Sequence, residues 1–200
     1  VARTGSRDTE AFATVVTAAS FLARSRDGEH GTVPRLELLD GREVARPAPA
    51  APAAGVLARL ERKLARVAAR GPRLAPGVVG PLSARARALV RIGPHDVLRP
   101  DLALIATGGP GAVRLGGSFD AVDVLLAVEA VRSSWPERRL LRYAMAGLPE
   151  VWLLDLDQGW VEALRSPWSG RYHSRTLWYP GEAIPVARLW SVVIEALPGP

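Results

Sequence analysis

RPDLALI (Arg99–Ile105), DVLLAVEAV (Asp123–Val131) and PERRLLRYAMAGLPEVWLLD (Pro136–Asp155) decide the fold. Read in order they give strand, glycine-rich loop, strand, helix and strand. Pro100-Asp101 opens the first strand, because proline is tolerated at a strand's first position and holds the residue before it extended. Asp123 to Val131 is a nearly continuous apolar run, the pattern of a strand buried on both faces, broken by Glu129. A carboxylate in such a strand is costly unless a cation meets it. Asp101 and Glu129, on neighbouring strands, therefore form a candidate pair of ligands for a hard divalent ion such as Mg²⁺. The plainer alternative is that Asp101 caps a strand end and Glu129 meets an arginine.

Working outward, Pro136 suits the first turn of the helix and Gly147 its end, with Leu140, Tyr143 and Ala144 as its apolar stripe. Upstream, Leu36–Leu39 and Arg42–Arg46 read as a hairpin across the turn dipeptide Asp40-Gly41. Pro47–Pro52 is an extended Pro/Ala linker. Ala53–Arg70 reads as a helix, with Val56, Leu57, Leu60, Leu64 and Val67 at helical spacing and Gly71-Pro72 as its stop. Gly77–Pro81 and Ala86–Gly93 are strand candidates. Gly108–Gly117 is a flexible loop; no helix opens at its glycines, so it is no dinucleotide-binding loop. Downstream, Trp160–Arg165 and Arg171–Tyr179 continue a meander with turns at Gln158-Gly159 and Ser169-Gly170, and Leu189–Ala196 closes it. Thr9–Arg24 reads as an amphipathic helix with Phe12, Val15, Val16, Ala19 and Leu22 on one face. Residues 1–30 are thus an N-terminal helix and loop, and residues 31–200 a single domain.

The 200 residues are 48% hydrophobic and 23% charged, ordinary for a globular chain. The absence of cysteine excludes disulfides and thiolate metal sites and fits a cytoplasmic setting. Acidic Asp8 and Glu10 argue against a signal peptide, and the apolar run after them is too short to span a membrane. The chain begins at Val1, so its native start lies open. A net charge of +6 favours a polyanionic partner. That charge rests on arginine, with one lysine, Lys63, a skew that a GC-rich genome also produces.

Pro-Asp on one strand, Glu on the next and a basic residue on the following helix resemble the PD-(D/E)xK nuclease superfamily. Within it the chain resembles the Uma-two putative restriction endonuclease family. The resemblance lies in Ile92–Ile105, Asp123–Val131 and Tyr143–Leu156, with Leu36–Gly41 similar to the family's opening strand and turn. Its most specific part is the block Tyr143, Gly147, Pro149, Glu150, Trp152, Asp155. The resemblance implies an α/β restriction-endonuclease-like fold: a mixed central sheet flanked by helices, with a C-terminal β-meander. It implies a Mg²⁺- or Mn²⁺-dependent DNA endonuclease, in which Asp101 and Glu129 are the metal ligands and Arg139 the basic catalytic residue. Glu37 is a possible further acidic group.

Two departures bear on activity. Arg139 stands where the family has lysine, in a connection about three residues shorter, and Ala53 stands where a histidine is usual. Arginine binds phosphate bidentately but does not readily give up a proton. Lys63 is a remote candidate to replace the missing lysine. Arg165, Arg171 and Arg175 are candidate contacts to a phosphate backbone, while Trp152, Trp160, Trp168 and Trp178 read as packing. The three scattered histidines, His30, His95 and His173, and the absence of cysteine argue against zinc hydrolysis. No serine elbow and no phosphate-binding Walker loop is present. The second expectation is thus a weakened or inactive relative acting as a nucleic-acid-binding or protein-interaction module. A homodimer would suit cutting of both strands.

Overall fold

The computed structural model describes residues 15–25, 35–47, 49, 51–71, 74, 76–78, 80–108, 117–131, 136–189 and 193–195. In chain order the elements are α1 (Ala18–Arg24), β1 (Arg35–Leu39), β2 (Arg42–Arg46), α2 (Ala51–Ala69), β3 (Leu82–Ala86), β4 (Val90–Gly93), β5 (Asp96–Leu98) and β6 (Leu102–Ala106). They continue with β7 (Phe119–Asp120), a 3₁₀ turn (Ala121–Asp123), β8 (Val124–Val131), α3 (Glu137–Met145), β9 (Glu150–Asp155), β10 (Trp160–Trp168), β11 (Arg171–Trp178), β12 (Ala183–Pro185) and β13 (Val193–Glu195).

A six-stranded sheet runs β11-β10-β9-β8-β6-β3. All its pairs are antiparallel except β8–β9, and a parallel pair needs a crossover, which here carries α3. β8 sits at the centre and is buried at every residue but Ala130, which is half-buried. The two-residue period assigns its faces. Leu126 and Val128, with Leu102 and Leu104 of β6, join Leu57, Leu60 and Leu64 of α2 in one core. Ala127 and Val131, with Ala103 and Ile105, join Tyr143 of α3 in another. Asp101 and Glu129 carry the α3-side parity. They stand one step beyond the Leu102–Val128 pair of the β6–β8 ladder.

The mixed α/β architecture and the C-terminal meander are as the sequence implies, with two larger sheets and a two-stranded ribbon in place of one sheet. The second runs β2-β1-β5-β4-β7, with β4–β7 parallel. The hairpin forms across Asp40-Gly41, whose φ angles of 51° and 71° suit the turn that matches strand twist. A Cβ at Gly41 would collide with Val15 and lie 3.1 Å from Val16 O. This close approach is how the N-terminal segment docks: Val16 N donates to Gly41 O at 3.0 Å and Ala18 N to Pro94 O at 2.7 Å.

Several boundaries differ from the sequence reading. The first helix starts at Ala18 because Thr17, in extended conformation, caps it and accepts from Ser20 N. Its buried face is Ala18, Phe21 and Leu22; Val15 and Ala19 are exposed, and Phe12 lies outside the described residues. The described residues of 77–81 are not in a strand. Ala86–Gly93 is two elements, because Arg87 takes a φ of 53° and turns the chain between β3 and β4. Of the closing segment, Val193–Glu195 pairs with β12 as a separate ribbon, and Leu189 forms an isolated bridge with Leu74. Residues 109–116 of the glycine-rich loop lie outside the described residues.

Glu150, at the start of β9, is fully buried and fully partnered. Its Oε1 accepts from Trp152 Nε1 and Arg165 Nε, both at 2.8 Å, and its Oε2 from Ala187 N at 2.8 Å. It therefore fastens the C-terminal segment to the main sheet. Glu150→Ala leaves the buried Trp152 indole N–H unpaired and takes the carboxylate from the half-buried Arg165, and should cost about 2–3 kcal/mol, measured by denaturant unfolding.

Candidate active site

Asp101 and Glu129 are 4% and 1% exposed, and the molecule surrounds them with guanidinium groups. Arg46, the last residue of β2, reaches both through one nitrogen: Nη2 lies 3.1 Å from Asp101 Oδ2 and 2.8 Å from Glu129 Oε2. Asp101 Oδ2 also accepts from Ala130 N at 2.9 Å. On the inner side, Arg139 Nε and Nη2 lie 3.1 and 2.7 Å from Glu129 Oε1. Tyr143 Oη donates to the same oxygen at 2.6 Å. Arg139 and Tyr143 are one helical turn apart on α3, so the helix period delivers both to the same carboxylate.

Glu37 joins from β1. Its Oε2 is 2.5 Å from Arg139 Nη1, and its Oε1 accepts from Arg99 N at 2.5 Å. Arg139 Nη2 further donates to Arg99 O at 3.1 Å. The guanidinium thus lies between Glu37 and Glu129 and leaves Asp101 and Glu129 as the pair that opens towards Arg46. Among the described residues no group of three or more Asp, Glu, His or Cys side chains gathers as a metal cluster.

The electrostatics follow from this packing. Burial and the neighbouring Glu129 push the Asp101 carboxyl up, against the pull of Arg46. Burial opposes charge on Arg139, but Glu129, Tyr143 and Glu37 outweigh it and raise its pKa further. Arg139 is therefore a fixed cation and no proton donor. At the mouth, Arg87 donates from Nη2 to Arg46 O at 3.1 Å and Pro47 O at 3.2 Å. Its pKa is lowered by burial and by Arg35, with Arg46 adding to the effect.

The structure brings Asp101, Glu129, Arg139 and Glu37 together. Arg139 is the inward residue; its neighbour Arg138 is exposed. Lys63 belongs to α2, which covers the opposite face of the sheet, so it does not replace Arg139. Ala53 is buried. The arginines of the meander stand apart from this cluster. Arg165 is bound to Glu150, and Arg175 pairs with Glu162 at 2.7 Å. Arg171 is exposed and lines a shallow groove between α3 and β11. Sequence reasoning missed Arg46. The signal was present in the hairpin register: Glu37 pairs with Val44 and Arg35 with Arg46, so residues 35, 37, 44 and 46 share a face.

The sequence profile of the family described as "Uma2: putative restriction endonuclease" matches residues 21–191. No curated protein matches the chain. Among solved structures, the chain is similar to a crystal structure titled as a putative nuclease belonging to DUF820, from Anabaena variabilis. The TM-score is 0.60 at 14% identity, covering 82% of this chain and 88% of that one. At this identity the likeness is one of fold.

Burial and, for Tyr143, the adjoining Glu129 carboxylate raise the pKa of Tyr143 and Tyr172 above the ordinary phenol value of 10.0. Their stabilisation is complete below that value and is lost as pH rises beyond it, because the unfolded chain alone ionises. Neither phenol should ionise while the fold persists. The contributions of Tyr143 and Tyr172 to the absorbance at 295 nm, isolated as differences from Tyr143→Phe and Tyr172→Phe because Tyr179 is exposed, should change together with far-UV circular dichroism. A phenolate signal removed by Tyr143→Phe, appearing while the dichroism is intact, would contradict this placement.

Proposed function

The chain belongs to the Uma2 family, described as putative restriction endonucleases, and from that premise we propose that it hydrolyses phosphodiester bonds in DNA with Mg²⁺ or Mn²⁺. The observation that carries the reading is the convergence of Asp101 Oδ2 and Glu129 Oε2 on one point, within 3.1 and 2.8 Å of a single cationic nitrogen. Two hard carboxylate oxygens at one point suit a divalent ion in ligand chemistry. Asp101 and Glu129 would hold it, and bound there it would polarise a phosphoryl oxygen and lower the pKa of a bound water.

The remaining groups position that pair. Arg139 and Tyr143 hold Glu129 by Oε1, which turns Oε2 outward. Ala130 N fixes Asp101 by Oδ2. Arg139 is a buried, permanent charge that stabilises negative charge nearby without exchanging a proton. The crowding of Arg35, Arg46 and Arg87 at the mouth, with a net charge of +6, supports a polyanionic substrate. Two copies about a two-fold axis would match the symmetry of a duplex cut on both strands.

A second reading has its own observation. With Arg46 and Arg139 bonded to it, Glu129 already has cationic partners on both oxygens. That favours a relative that binds nucleic acid or protein without cutting.

Cleavage of supercoiled plasmid with Mg²⁺ or Mn²⁺ separates the two. The wild type should cut only with metal. Asp101→Ala and Glu129→Ala should lose about 10²–10³-fold, the scale of losing one transition-state electrostatic contact. A silent wild type that cuts after Arg139→Lys would show a site that has lost only its basic partner. Silence from all four proteins, with DNA still retained in a mobility shift, would establish the binding reading.

A further inference from the structure

The position that the carboxylate pair offers to a cation is held by a side chain of the protein itself. We propose that Arg46 is an internal counter-ion which competes with the divalent ion for Asp101 and Glu129, and so sets how strongly this site takes metal. This rests on the reading of those two carboxylates as the ion's ligands.

Three features carry it. Arg46 makes both contacts through the same atom, Nη2, so its charge sits where the two carboxylates converge. Two buried carboxylates cannot both stay charged without a cation nearby, and a guanidinium meets that need as a metal ion would. The two cations exclude one another there, since like charges at contact distance repel strongly in a poorly solvated site.

The second feature is that Arg46 is held differently from Arg139. Arg139 is bonded through Nε, Nη1 and Nη2 to side chains on two strands and to the backbone of the β5–β6 connection. Arg46 Nε is buried and has no hydrogen-bond acceptor among the described residues. Its side chain is 23% exposed against 9% for Arg139, so it has a route to water. The third is that its backbone is tied independently: Arg87 holds the carbonyls of Arg46 and Pro47. Arg46 can therefore leave the carboxylates by side-chain rotation alone, with β2 in place.

The test is calorimetric titration of the metal-free protein with Mn²⁺ alone, comparing wild type, Arg46→Gln and Asp101→Ala. Glutamine keeps the length and an N–H donor while removing the charge, and Arg46→Ala serves as a second variant. Removing the competitor should tighten Mn²⁺ binding by about 5- to 150-fold, the usual range of a coupling between two bound species. The metal-free melting temperature should fall in the same variant and recover with Mn²⁺. A residue with a merely structural role would weaken metal binding when replaced. Equal Mn²⁺ affinity in wild type and Arg46→Gln, at a site that Asp101→Ala destroys, would overturn the competition and leave the metal ligands standing. No binding to either, or binding that Asp101→Ala does not change, would overturn the ligand assignment and the competition with it.

Discussion

A glutamate side chain inside an eight-residue strand that is otherwise apolar is the constraint around which this molecule is arranged. Glu129 is 1% exposed, and leaving its charge unpaired there would cost several kcal/mol or more. Its compensation comes from other elements: Arg46 from β2, distant in sequence, and Arg139 and Tyr143 from α3, the next helix. Glu37 from β1 then balances Arg139. These long-range partners specify how the hairpin and α3 meet the main sheet. The same bonds that make burial tolerable fix the direction of each carboxylate oxygen.

The α3 side of the sheet is accordingly a polar island within an apolar layer. Ala103, Ala127, Val131 and Val151 belong to the apolar layer on that side. In that setting electrostatic interactions are strong in both directions. A second buried carboxylate, Glu150, shows the contrasting case. Its bonds go to an indole, a guanidinium and a backbone N–H that all belong to the architecture. Both glutamates are buried and bonded, but Glu150 points at fixed partners, whereas Glu129 turns one oxygen toward a side chain with a path to solvent.

Much of this was legible in the sequence because it rests on period and turn chemistry. The apolar run of β8, the Asp40-Gly41 hairpin, the α2 stripe and the Ser169-Gly170 turn are local signals, and each formed where its pattern sits. The parity of Asp101 and Glu129 followed from the same alternation. Errors arose where local pattern was overruled. Ala86–Gly93 reads as one strand until Arg87 takes a left-handed conformation. Of the expected Thr9–Arg24 helix the described part begins at Ala18, because Thr17 caps it and Val16 bonds to the hairpin turn; residues 9–14 lie outside the described residues. Arg46 escaped notice for another reason. It lies on an exposed edge strand, where an arginine is unremarkable until the register of the hairpin shows which carboxylate shares its face.

The burial of β2 carries one more consequence. None of its five residues belongs to the core; four are exposed and Arg46 is half-buried. Its ladder to β1, the Arg24–Glu43 pair and the bonds around Arg46 do most to keep it in place. The strand is therefore drawn from the low end of the local-stability range, where opening is governed by few contacts. Part of its anchorage is also the neutralisation of the carboxylate pair. Opening of this edge strand would therefore withdraw a counter-charge from the centre of the other sheet, whereas rotation of the Arg46 side chain alone leaves the strand paired.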